Sequence, residues 1–303
     1  MTYVGQHGIF LTFEETSPFM QQQDFILTLS CPDRKGIVHQ VSGVLLNHGG
    51  NIIDAQQFGD EETGQFFLRI HFSIPDGSRI DTLRSDFVPV AASFQMQWSL
   101  HDAKQPARIL ILVSRQGHCL NDLLFRIRSG QIAATTVAIV SNHRDFEGMA
   151  QAYDIPFHYL PVTADNKLEQ EEALLRIIER EQVDLVVLAR YMQILSTSLC
   201  EKLTGRAINI HHSFLPSFKG ARPYYQAHAR GVKLIGATAH YVTADLDEGP
   251  IIEQDIERVD HAMSVNHLTQ VGSDIESLVL SRAVRAHIEH RVLINGSRTV
   301  VFR

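Results

Sequence analysis

Cysteine is scarce in this 303-residue chain: Cys31, Cys119 and Cys200 are odd in number and far apart, which excludes a disulfide framework and fits a reducing cytosol. No apolar run approaches the length of a membrane span, and the N-terminus lacks a basic segment followed by an apolar stretch and a cleavage site. A cytoplasmic protein with no membrane partner is expected. Basic residues are also in deficit. With 27 Lys and Arg against 34 Asp and Glu the formal net charge is −7, and the cations are scattered, so a nucleic-acid backbone is excluded as partner. A small anionic substrate stays open. Repeats and low-complexity tracts are absent. What is present is a globular composition, 44% hydrophobic and 20% charged, with length enough for two domains and an ample core.

Residues 1–23 carry no clear period and read as a tail. From Asp24 to His101 the pattern is strand (Phe25 to Ser30), a turn with Pro32 and Gly36, helix (Ile37 to Asn47), strands at Asn51 to Phe58 and Gln65 to Ile74, helix (Ile80 to Ala92) and strand (Phe94 to Leu100). This predicts a ferredoxin-like βαββαβ unit, an open antiparallel sheet covered on one face. Residues 102–107 read as a linker. Beyond them, over 108–303, continuous apolar strands at Arg108 to Val113, Thr135 to Val140, Val183 to Ala189 and Ala207 to His211 alternate with helices near Asn121 to Ser129 and Leu168 to Glu181. Such runs indicate a mostly parallel, doubly wound, Rossmann-like sheet buried on both faces, an α/β fold that binds ligands beyond the carboxyl ends of its strands. Further strands at Leu234 to Val242 and Ile251 to Val259, a long helix from Ser264 to Ile288 and a hairpin turning at Asn295-Gly296 complete the reading.

The chemistry concentrates in Ile208-Asn209-Ile210-His211-His212-Ser213-Phe214-Leu215-Pro216-Ser217 and in Asp247 of Asp245-Leu246-Asp247-Glu248-Gly249-Pro250. On a strand Asn209 and His211 share one face and His212 points away, which disfavours a metal held by both histidines. An amide, an imidazole and a carboxylate at a strand end are the groups needed to polarise a carbonyl, move a proton and hold the imidazole in place.

Asn209 to Gly220, together with Leu246 to Ile252, resembles the signature of the folate-dependent formyltransferase superfamily, with His211 and Asp247 separated by 36 residues (247 − 211). The resemblance covers about Arg108 to Arg285. It implies that Asn209 donates to the formyl oxygen of 10-formyltetrahydrofolate, that His211 transfers protons, and that Asp247 is its partner and organises water. It further implies a pterin pocket lined by Tyr191, Met192, Gln193, Ile194 and Leu195, with His118 and Gly249 as additional substrate contacts. No metal and no bound cofactor is expected, the folate being the substrate. Cys31 to Val38 with Asn51-Ile52 is similar to the ACT domain. That likeness implies a possible amino-acid effector at Asp33, Arg34, Gly36, Ile37, Asn51 and Ile52, or a pure dimerisation surface.

The acceptor is the open question. Phosphate-bearing amine acceptors are held in this superfamily by a Gly-rich loop after the first strand, whereas Ser114 to Asp122 keeps only Gly117. A phosphate-bearing acceptor is therefore disfavoured. An ACT module joined to a formyl-handling domain resembles the hydrolytic members of the superfamily, which implies water in place of the amine, formate and tetrahydrofolate as products, formate supplied to purine biosynthesis and the one-carbon folate pools kept in balance. The alternatives are an amine-accepting formyltransferase, a folate-holding sensor, and a metal hydrolase using His211 with His228 or His240. A nucleophilic Cys119 is a weaker reading than a packing thiol. The uncovered sheet edge favours a homo-oligomer, with a tetramer as the guess.

Overall fold

The computed structural model describes residues 22–75, 79–213 and 223–303. Of the expected tail only Gln22 and Gln23 are described, and they already belong to the first strand. The Phe214 to Gly220 part of the signature lies outside the described residues.

The N-terminal unit runs β1 (Gln22–Pro32), α1 (Ile37–Asn47), β2 (Asn51–Asp60), β3 (Gln65–Pro75), α2 (Ile80–Phe94), β4 (Gln97–Asp102). Its sheet has the order β2-β3-β1-β4 with every pairing antiparallel. Ile37, Val41 and Leu45 recur one turn apart along α1 and bury its inner stripe against Phe25, Leu27 and Leu29 of β1. Phe94, expected to open the last strand, instead ends α2, because Gln95 at φ 56 caps the helix in the left-handed region.

The second unit runs β5 (Ala107–Val113), α3 (His118–Arg128), β6 (Ala134–Ser141), α4 (Glu147–Ala152), β7 (Phe157–Tyr159), α5 (Lys167–Arg180), β8 (Leu185–Leu188), α6 (Thr197–Lys202), β9 (Ala207–His211), α7 (Pro223–Arg230), β10 (Leu234–Tyr241), β11 (Ile251–Arg258), α8 (Val265–Ile288), β12 (Val292–Asn295) and β13 (Arg298–Val301). Seven strands form one sheet in the order β11-β10-β9-β8-β5-β6-β7. The five strands from β9 to β7 are parallel, while β10 and β11 run antiparallel at one edge. Alternation along β5 feeds both layers: Ile109, Ile111 and Val113 enter one apolar cluster, Leu110 and Leu112 the other. The short α4, β7, α6 and α7 carry too few residues for a periodic signal. In the C-terminal hairpin Asn295 pairs with Arg298, so the turn is Gly296-Ser297 and lies one residue later than expected. Among the described residues no helix is long and apolar enough to cross a membrane.

The two units meet through side chains as well as the short 103–106 connection. Arg69 donates from Nε and Nη2 to the Glu289 carbonyl at 3.2 and 3.0 Å, and the His101 ring stacks on His290 with centroids 3.6 Å apart. Burial first, then the neighbouring His101, His287 and Arg69, pushes His290 down to about 3; burial and His101 push His287 down to about 4. An unfolded chain protonates histidine near pH 6.5. Between that pH and the folded values the unfolded state therefore binds more protons, and stability falls as pH falls. The thermal midpoint should drop steadily from pH 7 to pH 4.5, and His290→Asn should flatten that slope. An unchanged slope in the variant would remove His290 from this account.

Candidate active site

β9 lies between β8 and β10, and its carboxyl end opens at the rim of the sheet. Asn209 is paired opposite His240, and His211 opposite Thr238. Asp247 comes from the connection between β10 and β11, with its backbone at φ 59 in the left-handed region. There its Oδ2 lies 3.1 Å from His211 Nδ1, and its Oδ1 lies 3.7 Å from His240 Nε2. Burial alone would raise the Asp247 carboxyl, but the hydrogen bond from His211, first, and the neighbouring imidazoles hold it well below the usual carboxylate range. His211 Nδ1 therefore carries the proton shared with Asp247. Its Nε2 is left as a lone pair with no partner among the described residues.

His240 fixes the amide. Its Nδ1 sits 2.8 Å from the Tyr241 carbonyl and must donate there. In the neutral ring Nε2 then accepts from Asn209 Nδ2 at 3.3 Å. This orientation leaves the second N–H of Asn209 for a ligand oxygen.

Asn209, His211 and Asp247 share a cavity of about 230 Å³ with Tyr191, Met192, Gln193, Ile194 and Leu195. That 191–195 segment is pinned where Met192 N donates to Ser114 Oγ at 3.0 Å, and Ser114 Oγ donates in turn to Asn142 at 2.7 Å. Burial raises the Tyr191 hydroxyl to about 12, so it remains a neutral donor.

Several expected residues lie elsewhere. His118 does not line the cavity: α3 starts there, and its Nε2 sits 2.7 Å from Glu276 Oε2. Gly249 also stands outside the lining, and glycine is needed there because a Cβ would lie 1.7 Å from the Tyr241 carbonyl oxygen. Gly249→Ala should accordingly displace the 245–250 connection, lowering the thermal midpoint and cutting turnover at least tenfold, with calorimetry and initial rates as the checks. His212 does not face away. β9 ends at His211, so strand alternation stops, and the two rings stack with centroids 4.7 Å apart. In the N-terminal unit Asp33, Arg34, Gly36 and Ile37 stand at one end of the sheet, Gly36 at φ 95 and Ile37 buried in the core. Asn51 and Ile52 stand at the other end. Asn51 pairs with Ser73, and Pro32 pairs with Gln65, eight residues or roughly 27 Å along β3. The three-turn helix α1 carries the chain back along β1, so one subunit does not bring these six residues together.

The Cys119 thiol is fully buried, and that burial drives it far above the ordinary thiol range, which leaves it inert as a nucleophile. His118, Cys119 and Glu276 have metal-like spacing, their ligand atoms within 4.8 Å of one another. Yet the Arg190 guanidinium lies 3.3 Å from the same carboxylate and supplies the charge a cation would bring. His228 does not line the cavity, and His240 is spent on Asn209 and the Tyr241 carbonyl. Residues absent from the sequence-based site are His212, Tyr224 and Glu276; His240 enters there only as a ligand of the metal-hydrolase alternative, and Arg190 only through the backbone of the pterin-pocket segment. The available signal for Glu276 was an acid on the apolar stripe of a long helix.

An amide, an imidazole and a carboxylate converge at the carboxyl rim of a mostly parallel sheet, beside an apolar slot and behind a βαββαβ module. This defines a two-domain enzyme of the formyl-handling class. Residues 107–284 match the family described as Formyl transferase and 25–85 the ACT domain. Formyltetrahydrofolate deformylase from Corynebacterium sp. (strain P-1) is 50% identical over 93% of this chain and 99% of its own length. The one from Synechocystis sp. is 48% identical over 93% and 100%. The crystal structure of formyltetrahydrofolate deformylase from Burkholderia mallei superposes with a TM-score of 0.90 at 52% identity, covering 93% of this chain and all of that one. The chain belongs to the formyltetrahydrofolate deformylase family.

Proposed function

We propose that this protein hydrolyses 10-formyltetrahydrofolate to formate and tetrahydrofolate. The observation that carries the reading is the His211–Asp247 contact of 3.1 Å, beside Asn209 and with His211 Nε2 unengaged. Water attacks the formyl carbon while His211 Nε2 takes its proton, and the Asn209 amide donates to the oxygen that becomes an oxyanion. The C–N bond then breaks, His211 returns the proton to the leaving folate nitrogen, and formate departs. Asp247 stabilises the imidazolium between the two transfers and keeps Nδ1 in its donating tautomer.

Water, rather than an amine, fits the loop after β5. A Cβ on Gly117 would strike the Phe146 ring at 2.3 Å; Gln116 accepts from Arg190 at 2.9 Å; and His118 is taken by Glu276. The groups that would otherwise cradle an acceptor's phosphate are engaged with one another. The formate supports purine biosynthesis, and the tetrahydrofolate restores the one-carbon pools. The protein works without a metal or bound cofactor, in the cytoplasm and as a homo-oligomer. A second copy completes an amino-acid effector site from the Asp33–Ile37 turn and Asn51-Ile52.

The test is incubation with 10-formyltetrahydrofolate in plain buffer, following free formate, with and without candidate amines and with a chelator. Formate release independent of amine and chelator is expected. Formyl groups appearing on an amine, with no formate in its absence, would make the protein a transferase.

A further inference from the structure

We propose that His212 is a hydrogen-bond donor to an oxygen of the bound formyl-folate through Nε2–H, and that Arg190 and Glu276 are positioning residues that hold it in that tautomer. The inference rests on the folate-hydrolysis reading and deepens it.

The tautomer follows from the partner. A guanidinium has no acceptor, so the 2.9 Å contact between Arg190 Nη1 and His212 Nδ1 makes Nδ1 the acceptor. Burial, then the charges of Arg190 and His211, pushes the ring's protonation down to about 4, against weaker opposing pulls from Glu276 and Asp247. In the neutral ring the proton must therefore sit on Nε2. That atom is buried and has no partner among the described residues. A histidine retained for packing alone ordinarily has its N–H satisfied by the protein, because an orphaned buried donor is costly.

The surroundings are arranged around this one ring. Glu276 is only 1% exposed and accepts from His118 Nε2 and Tyr224 OH, each at 2.7 Å, with Arg190 Nε at 3.3 Å. Room for Tyr224 comes from Gly272, one turn earlier on α8, where a Cβ would lie 2.0 Å from the tyrosine oxygen. Arg190 holds φ 63, a conformation costly for a residue with a side chain. The result places an acceptor, His211 Nε2, and a donor, His212 Nε2–H, on two rings stacked 4.7 Å apart and lining one cavity. Attacking water and a carbonyl oxygen present the complementary pair.

Three substitutions separate the roles of the ring. A Gln amide nitrogen at 212 reaches about as far from the backbone as Nε2, an Asn amide only as far as Nδ1, and Phe keeps the stacking without either. His212→Gln should retain formate release within tenfold of wild type, while His212→Asn and His212→Phe should lose about 100-fold or more in kcat. Nitrogen NMR of the imidazole-labelled wild-type protein at pH 7 should show His212 protonated on Nε2 alone, and Arg190→Met should mix the tautomers. His212→Phe within threefold of wild type, Asn equal to Gln, or a wild-type ring protonated on Nδ1 would each overturn the proposal. Absence of formate release by the wild type would instead overturn the hydrolysis reading, leaving the tautomer to be read on its own.

Discussion

Replacing His211 with alanine should lower kcat for formate release by three to four orders of magnitude, with KM moved only a few-fold. The imidazole combines a fixed proton partner, Asp247 at 3.1 Å, with a ring nitrogen left unengaged among the described residues. General base and general acid steps each contribute about 10²–10⁴-fold, and here one ring serves both, so the loss should lie toward the upper end. On the proposed reading the folate is held by the apolar walls and the 191–195 backbone of the cavity, which the substitution does not touch, so KM should hold. The triad acts as a unit, so His211→Ala combined with Asn209→Ala should be little slower than His211→Ala alone. Single-turnover kinetics with saturating enzyme would isolate the chemical step. Turnover within tenfold of wild type would remove His211 from proton transfer.

The layers of this fold were legible because each signal was local and periodic. Strand runs such as Ile109 to Val113 are apolar at every position since both faces are covered, and α1 shows its buried stripe at four-residue spacing. The triad was legible for a different reason. Two members lie on one strand, and strand alternation alone places Asn209 and His211 on one face. Asp247 is 36 positions further on, so nothing in the periodicity joins it to His211. Its place was supplied by the family resemblance, and the physical device is the antiparallel return of β10 beside β9.

What stayed hidden depends on tertiary contacts between distant elements. The resemblance implies His118 as a substrate contact, but Glu276, 158 residues away on α8, captures it. His212 obeyed alternation in the sequence reading and broke it in the fold, because the strand stops one residue earlier. Gly249 looked like a ligand contact and is a steric necessity against the Tyr241 carbonyl. The six residues expected to hold an effector fall on two ends of one sheet, a separation that motif adjacency cannot show and register can.

Asp247→Asn should be nearly as damaging to turnover as loss of the imidazole, while barely disturbing the backbone, and the contrast is what makes it informative. The residue holds φ 59, a conformation that Asn adopts at least as readily as Asp and that Ala resists. The substitution therefore removes the charge and leaves the loop in place, whereas Asp247→Ala would mix charge loss with backbone strain. With an amide at this position the Nδ1–H of His211 can still find an oxygen, but no carboxylate balances the imidazolium formed when water is deprotonated. A comparable carboxylate-to-amide change at an imidazole costs about 10⁴ in kcat, and a fall of 10³ or more is expected here. Stability provides the independent check. A carboxyl held below its unfolded value near 3.9 stabilises the fold at higher pH and loses that contribution as pH falls through the acid range. The variant should thus be less stable than wild type at pH 7 and the difference should shrink below about pH 4. Kinetics near wild type, or a stability gap that does not close in acid, would show that the Asp247 charge is not coupled to His211 and His240 as the contacts of 3.1 and 3.7 Å require.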